Sequence, residues 1–242
     1  MITLHKKLAR VLITGGSRGI GLAIARRLLE CGVQVHYCSR RPSGYEHPAF
    51  VHVAADLADT DLGPKTVIEH FEERGIAPDG LICAAGTICE ALVFKQVDQT
   101  IERQLAVNMT SHIKLIQWAA VPMMRARFGR IVAVSSTAAR FPAPGQSVYA
   151  AAKAGLEAFL KGCAVELASK GVTCNRIVPG YIVTDFSREY LESRDLRKVV
   201  PVGRAGIREE VAEAVLLFLG ANSGYLTGSE VVIDGGLSLA VK

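Results

Sequence analysis

Short runs rich in Val and Ile alternate with longer helix-like segments along the whole chain, and this alternation constrains the fold more than any single motif. The runs are "RVLIT" 10–14, "VQVHYC" 33–38, "FVHVAA" 50–55, "GLICAA" 80–85, "RIVAVSS" 130–136, "VTCNRIV" 172–178 and "EVVID" 230–234. Seven such runs imply a parallel sheet buried on both faces. Helices are expected between them near 19–31, 60–74, 98–127, 147–169, 186–197 and 208–219. The pattern predicts an α/β fold: one Rossmann-type, doubly wound, seven-stranded parallel sheet with helices on both faces, spanning residues 1–242 as a single domain. One interval breaks the rhythm. "RPSGYEHPAF" 41–50 is too short and too rich in Pro and Gly for a crossover helix, so it reads as a loop or one helical turn.

Half of the residues are apolar, enough for a sizeable core. The 28 basic and 23 acidic residues give a net charge of +5, with no basic block longer than a pair. That balance does not point to nucleic acid; it suits small anionic ligands or acidic partners. The six cysteines (Cys31, Cys38, Cys83, Cys89, Cys163, Cys174) are dispersed in apolar stretches without a CxxC pair, as expected of reduced thiols in a cytoplasmic protein. No metal cluster is expected. The opening "MITLHKKLARVLITGG" is too short in its apolar part for a secretion signal, and no stretch approaches the ~18 apolar residues of a membrane span.

"RVLITGGSRGIGLAIARRLL" places Gly15, Gly19 and Gly21 after a buried strand and at the start of an amphipathic helix. Small residues there allow a tight strand-helix turn, and they also let backbone approach a pyrophosphate that the helix N-terminus stabilises. The spacing is G-x-x-x-G-x-G rather than the commoner G-x-G-x-x-G. The second strand ends "HYCSRR", with Ser39, Arg40 and Arg41 where an NAD-binding protein usually carries an acid for the ribose hydroxyls. Arg18 and Arg40 would instead bracket a 2′-phosphate, unless they are simply solvated surface; the expected cofactor is therefore NADP or NADPH.

"SVYAAAKAGLEAF" 147–159 puts Tyr149 and Lys153 four residues apart on one helix face. A phenol is a poor acid-base group near neutrality, and a nearby cation favours its ionised form, so Lys153 reads as the tuning charge. A packed Tyr beside a snorkelling Lys would give the same spacing. Ser136, delivered by the buried run just before this helix, and the upstream glycine loop favour the chemical reading.

In order and spacing, "TGGSRGIG" 14–21, "AAG" 84–86, Asn108 in "LAVNMTS", Ser136, "YAAAK" 149–153 and "PGYIVT" 179–184 resemble the short-chain dehydrogenases/reductases. "GQSVYAAAKAGLEAF", "NRIVPGYIVTDF" and "YLTGSEVVIDGG" look most like the 3-oxoacyl-[acyl-carrier-protein] reductases of that family. The resemblance implies that Tyr149 donates a proton to the substrate carbonyl oxygen, Ser136 hydrogen-bonds that oxygen and Lys153 holds the nicotinamide ribose. Asn108 would carry a water linking Lys153 to solvent, or merely bond local backbone. The cofactor would lie along Gly15, Ser17, Arg18, Gly19, Ile20 and Gly21, reach Ser39, Arg40 and Arg41, and meet Asp56 and Leu57 at the adenine. Ala84, Ala85, Gly86, Pro179, Gly180, Ile182 and Thr184 would line its nicotinamide and diphosphate. Asp56 is also a candidate helix N-cap.

The same resemblance makes Arg127 and Lys170 candidates for docking an acidic acyl carrier protein, where ordinary solvated charges would look the same, and implies a homotetramer or a dimer. Two features depart from the family pattern. "CAAG" 83–86 stands where "NNAG" is usual, which predicts a less rigid turn. The substrate-covering segment 185–206 is short and highly charged. The expected activity is NADPH-dependent reduction of 3-oxoacyl carrier-protein thioesters, in fatty acid or specialised polyketide or polyene synthesis. The alternatives are reduction of a free small-molecule ketone, or a catalytically silent dinucleotide sensor.

Overall fold

The computed structural model describes residues 2–185, 187, 191 and 195–240. Along β1 (Arg10–Thr14), Val11 and Ile13 point into one apolar cluster and Leu12 into another, so the strand is buried on both sides. The same holds across the sheet. Strands β1, β2 (Gln34–Ser39), β3 (Phe50–Ala54), β4 (Gly80–Cys83), β5 (Gly129–Val134), β6 (Val172–Pro179) and β9 (Glu230–Ile233) form one sheet in the order β3-β2-β1-β4-β5-β6-β9. Every pairing in it is parallel. All seven expected strands are present, to within two residues at most boundaries.

Helices α1 (Gly19–Glu30) and α6 (Arg208–Leu219) pack on one face; α2 (Leu62–Glu72), α4 (Ser111–Ala126) and α5 (Ser147–Leu167) cover the other. The long helix expected over 98–127 is divided into α3 (Asp98–Leu105), a π-helical turn (Ala106–Thr110) and α4. Residues 41–49 form a loop without a helical turn, and Ser43 N–H donates to the Tyr37 hydroxyl at 2.9 Å to hold it. A second, two-stranded ladder pairs β7 (Ile182–Val183) with β8 (Gly206–Ile207). The helix expected over 186–197 falls largely outside the described residues; Leu196–Lys198 is a 3-10 turn.

The strand order reverses between β1 and β4, so the crossovers from the two strands leave on opposite sides and open a crevice at their C-terminal ends. Thr14, Cys38 and Cys83 are in register there, and the loops that follow form its walls. No helix among the described residues is long and apolar enough to cross a membrane.

Candidate active site

A cavity of about 1300 Å³ occupies this crevice. Its nucleotide end is built from the turn between β1 and α1. Gly15 has φ +72°, and a Cβ on Gly21 would stand 2.3 Å from the Gly15 carbonyl oxygen, so only glycine lets the helix start this close to the turn. The first turn of α1 has no acidic residue and no side-chain cap at Arg18, which leaves its amides free for an anion. Gly16, which sequence reasoning passed over, is equally constrained: its Cβ would meet Tyr37 Cβ at 2.5 Å.

At the end of β2, Ser39 Oγ donates to the Arg41 carbonyl at 2.7 Å and shapes the turn carrying Arg40. Ion pairs among the described residues engage Arg27, Lys65, Arg74, Lys114, Arg140, Arg176, Lys198, Arg204 and Arg208, whereas Arg18, Arg40 and Arg41 stay exposed on the cavity without a carboxylate partner. Uncapped amides, a glycine cradle and free guanidinium groups together fit a dinucleotide bearing a 2′-phosphate. Asp56 and Leu57 also line the cavity. Asp56 does not cap α2: its carboxylate accepts from Ala58 N–H at 3.0 Å, while Leu62 N–H at the helix start donates to Asp59 at 2.8 Å.

The chemical end gathers Ser136, Tyr149 and Lys153 on the same cavity. Ser136 follows β5; its Oγ accepts from Ala138 N–H at 3.1 Å, and its hydroxyl interacts with the Tyr149 phenol. Lys153 is 3% exposed and donates to the Val134 carbonyl at 2.8 Å. Burial lowers its pKa to about 8, against opposing pulls from Cys83 and Glu157. The expected tuning of Tyr149 does not appear in this arrangement. Burial raises the phenol's pKa, the Ser136 interaction opposes it, and the Lys153 ammonium lies 5.8 Å from the ring centre with one of its N–H groups donated to Val134 O. Tyr149 therefore stands as a protonated phenol, the form that can give up a proton.

Asn108 does not line the cavity. It is fully buried in the π-helical turn, where its amide donates to Thr87 O at 2.7 Å and accepts from Thr87 N–H at 3.1 Å. It thus grips the segment after the "CAAG" turn. That turn is also held by the Thr14 hydroxyl, which accepts from Ala84 and Ala85 N–H, each at 3.0 Å. Cys83 is fully buried with a thiol pKa pushed upward by burial, so it is no nucleophile. Glu157, one turn past Lys153, accepts from Ser135 Oγ at 2.6 Å and lies 3.5 Å from Arg176, itself paired with Glu230.

The remaining wall contains Glu90, Arg103, Phe141, Gln146, Tyr181 and Leu237. Sequence reasoning named none of these as site residues. The Gln146 amide donates to Glu90 at 2.8 Å, joining two segments far apart in the chain. Arg127 and Lys170 lie elsewhere. They stand before β5 and β6, at the opposite end of the strands from the cavity, with the Arg127 guanidinium 3.3 Å from the Ser169 carbonyl.

Residues 15–238 match the family model described as "Enoyl-(Acyl carrier protein) reductase", one of the short-chain dehydrogenase/reductase models. The chain belongs to the short-chain dehydrogenase/reductase family. It is accordingly an oxidoreductase. Similar relatives include the 3-oxoacyl-[acyl-carrier-protein] reductase MabA of Mycobacterium avium, 34% identical over 232 residues, covering 95% of this chain and 89% of the relative. The 3-oxoacyl-[acyl-carrier-protein] reductase FabG of Chlamydia pneumoniae is 33% identical over 240 residues, covering 95% and 96%. Among solved structures, a gluconate 5-dehydrogenase from Burkholderia cenocepacia in complex with NADP and tartrate superposes with TM-score 0.88 at 28% identity, covering 99% and 98%. A 3-oxoacyl-[acyl-carrier protein] reductase from Brucella melitensis superposes with TM-score 0.85 at 28% identity, covering 98% and 93%.

Proposed function

We propose that this short-chain reductase is an NADPH-dependent ketoreductase that converts 3-oxoacyl-[acyl-carrier-protein] thioesters to 3-hydroxyacyl thioesters, in fatty acid synthesis or a specialised polyketide or polyene route. The observation that carries the reading is one cavity with free arginines at its nucleotide end and Ser136, Tyr149 and Lys153 at its chemical end. The cofactor is NADP(H), for which Arg18, Arg40 and the uncapped turn of α1 supply the recognition chemistry. When bound, NADPH supplies the hydride that the carbonyl carbon accepts.

Tyr149 gives its phenolic proton to the carbonyl oxygen, and the Ser136 hydroxyl donates to the same oxygen. Both donors act where negative charge develops in the transition state, which is where fixed donors lower a barrier. Lys153 holds the nicotinamide ribose. Asn108, through the turn it stabilises, carries the water path that returns a proton from solvent.

The carrier-protein substrate is supported by the names of relatives 33–34% identical over almost the whole chain. Arg127 and Lys170 are proposed as the docking residues for the acidic carrier in the cytoplasm. Arg127 and Lys170 lie six and eight strand residues, roughly 20 to 26 Å, from the catalytic ends of β5 and β6 in their own chain. A carrier seated there would suit the cavity of another subunit in the proposed homotetramer, or dimer. A free small ketone is the second reading, favoured by the superposition on the gluconate 5-dehydrogenase and by the charged segment 185–206.

The test is NADPH oxidation with short, long and polyunsaturated 3-oxoacyl thioesters, free ketones and an enoyl thioester. Faster turnover of carrier-linked 3-oxoacyl chains supports the proposal. Turnover confined to free ketones selects the second reading, and reduction of the enoyl thioester alone refutes both. Binding of NADPH with no turnover of any substrate would mark a silent sensor, a role that the retention of Ser136, Tyr149 and Lys153 speaks against.

A further inference from the structure

Behind the cofactor turn, a buried imidazole joins two parts of the site that lie far apart in the chain. Thr14 is fully buried at the end of β1, and its hydroxyl oxygen accepts from two backbone N–H groups, those of Ala84 and Ala85. With both lone pairs engaged, the hydroxyl has only its proton left to give. The remaining partner is His112 Nε2, 2.9 Å away in the first turn of α4. A nitrogen that accepts from a hydroxyl carries no proton of its own, so the proton of the neutral ring is on Nδ1. Nδ1 in turn faces the Asn108 backbone carbonyl at 3.3 Å, a group that can only accept. The ring is fully buried, and desolvation together with the nearby Lys153 charge lowers its pKa to about 3.

We propose that His112 is a positioning residue for the reaction: as the Nδ1–H tautomer it couples the Ala84–Ala85 turn, through Thr14, to the Asn108 carbonyl. The turn is then gripped at both ends, by Thr14 and His112 at Ala84–Ala85 and by the Asn108 side chain at Thr87. Gly86 lies between these grips. A Cβ there would sit 3.2 Å from Asn108 Oδ1 and 3.8 Å from Lys153 Nζ, so a small shift of the turn alters the surroundings of both groups. "CAAG" has no amide side chain with which to hold its own backbone, and the Thr14–His112 pair supplies the restraint from behind.

The proposal rests on the reading that this turn carries the cofactor, but its first test needs neither cofactor nor substrate. Nitrogen NMR of the ¹⁵N-histidine-labelled protein, with His112 assigned by comparison with His112→Gln, is expected to show a neutral Nδ1–H ring across the assay pH range. An Nε2–H ring overturns the proposal. Two variants then separate the two bonds. His112→Asn retains a donor toward Asn108 and loses the acceptor for Thr14, so NADPH is expected to bind about tenfold more weakly, the loss of roughly one buried hydrogen bond. His112→Gln retains the acceptor and loses the donor, so NADPH affinity is expected to stay within about twofold while kcat falls several-fold. Both variants are measured under conditions where they melt cooperatively. Unchanged NADPH affinity in His112→Asn, or the same pattern of losses in both variants, refutes the coupling. Should either variant fail to fold, the tautomer measured in the unmodified protein still decides. Because the tautomer and NADPH affinity are read without substrate, failure of the ketoreductase reading would be seen separately, as absence of turnover.

Discussion

On the proposal that Lys153 holds the nicotinamide ribose, its ammonium should give nucleotide binding a pH dependence that follows from its surroundings. It is almost wholly buried and bonded to the Val134 carbonyl, and burial brings its pKa from 10.5 to about 8. Lys153 is thus cationic below pH 8 and neutral above it, so whatever affinity the charge contributes is present at low pH and lost as pH rises. Its protonated fraction falls about tenfold between roughly pH 7 and pH 9, and the NADPH dissociation constant is expected to rise by up to that factor. Tyr149 does not interfere, because its pKa is raised above the usual tyrosine value of 10.0. The assay is NADPH fluorescence titration at constant ionic strength. Lys153→Arg, which stays charged, should give a flat profile across the same range. A stability counterpart has the opposite sign. The unfolded chain binds the Lys153 proton more tightly than the native chain does, so stability rises with pH between about 8 and 10.5. The stability of the native protein relative to Lys153→Met should therefore climb over that window, with a slope approaching ~1.4 kcal/mol per pH unit. A flat NADPH profile in the native protein, or the same falling limb in Lys153→Arg, would refute the reasoning.

Tyr149→Phe keeps the ring but removes the proton donor, so turnover should fall about 10²–10⁴-fold in steady-state assays while NADPH affinity holds. Arg40→Asp puts a carboxylate where a 2′-phosphate would sit; the ratio of NADPH to NADH affinity, expected to exceed about tenfold in the native protein, should shrink or invert. Glu157→Ala leaves Arg176 with Glu230 alone and strips Ser135 of its acceptor, at a cost of about 3 kcal/mol. Calorimetry should show this as a Tm lower by about 6–12 °C. Light scattering at micromolar concentration should give a tetramer, or else a dimer, and a mass near 25.9 kDa would contradict the proposed assembly.

The strand-helix alternation was legible without coordinates because both faces of a parallel sheet must be apolar, and burial writes that requirement directly into each strand. The glycine loop was legible for a related reason: Gly15 and Gly21 answer to backbone sterics only a few residues away. The i, i+4 spacing likewise placed Tyr149 and Lys153 on one face of α5 before any coordinate was known. Electrostatics was decided elsewhere. The spacing makes Lys153 look like a charge serving the phenol alone, but the carbonyl it donates to belongs to β5, and the burial that raises the phenol's pKa comes from several segments. Asn108 was recognised as a motif residue, but its burial behind the cavity and its grip on Thr87 follow from the π-helical turn within a helix whose sequence periodicity reads as continuous. The partners of Thr14, among them His112 98 positions away, exist only once β1, β4 and α4 are packed together. Sequence by itself determined what local geometry and burial impose on neighbouring residues. Tertiary structure decided hydrogen-bond partners, tautomers and pKa shifts, because these depend on atoms that distant segments bring within about 3 Å.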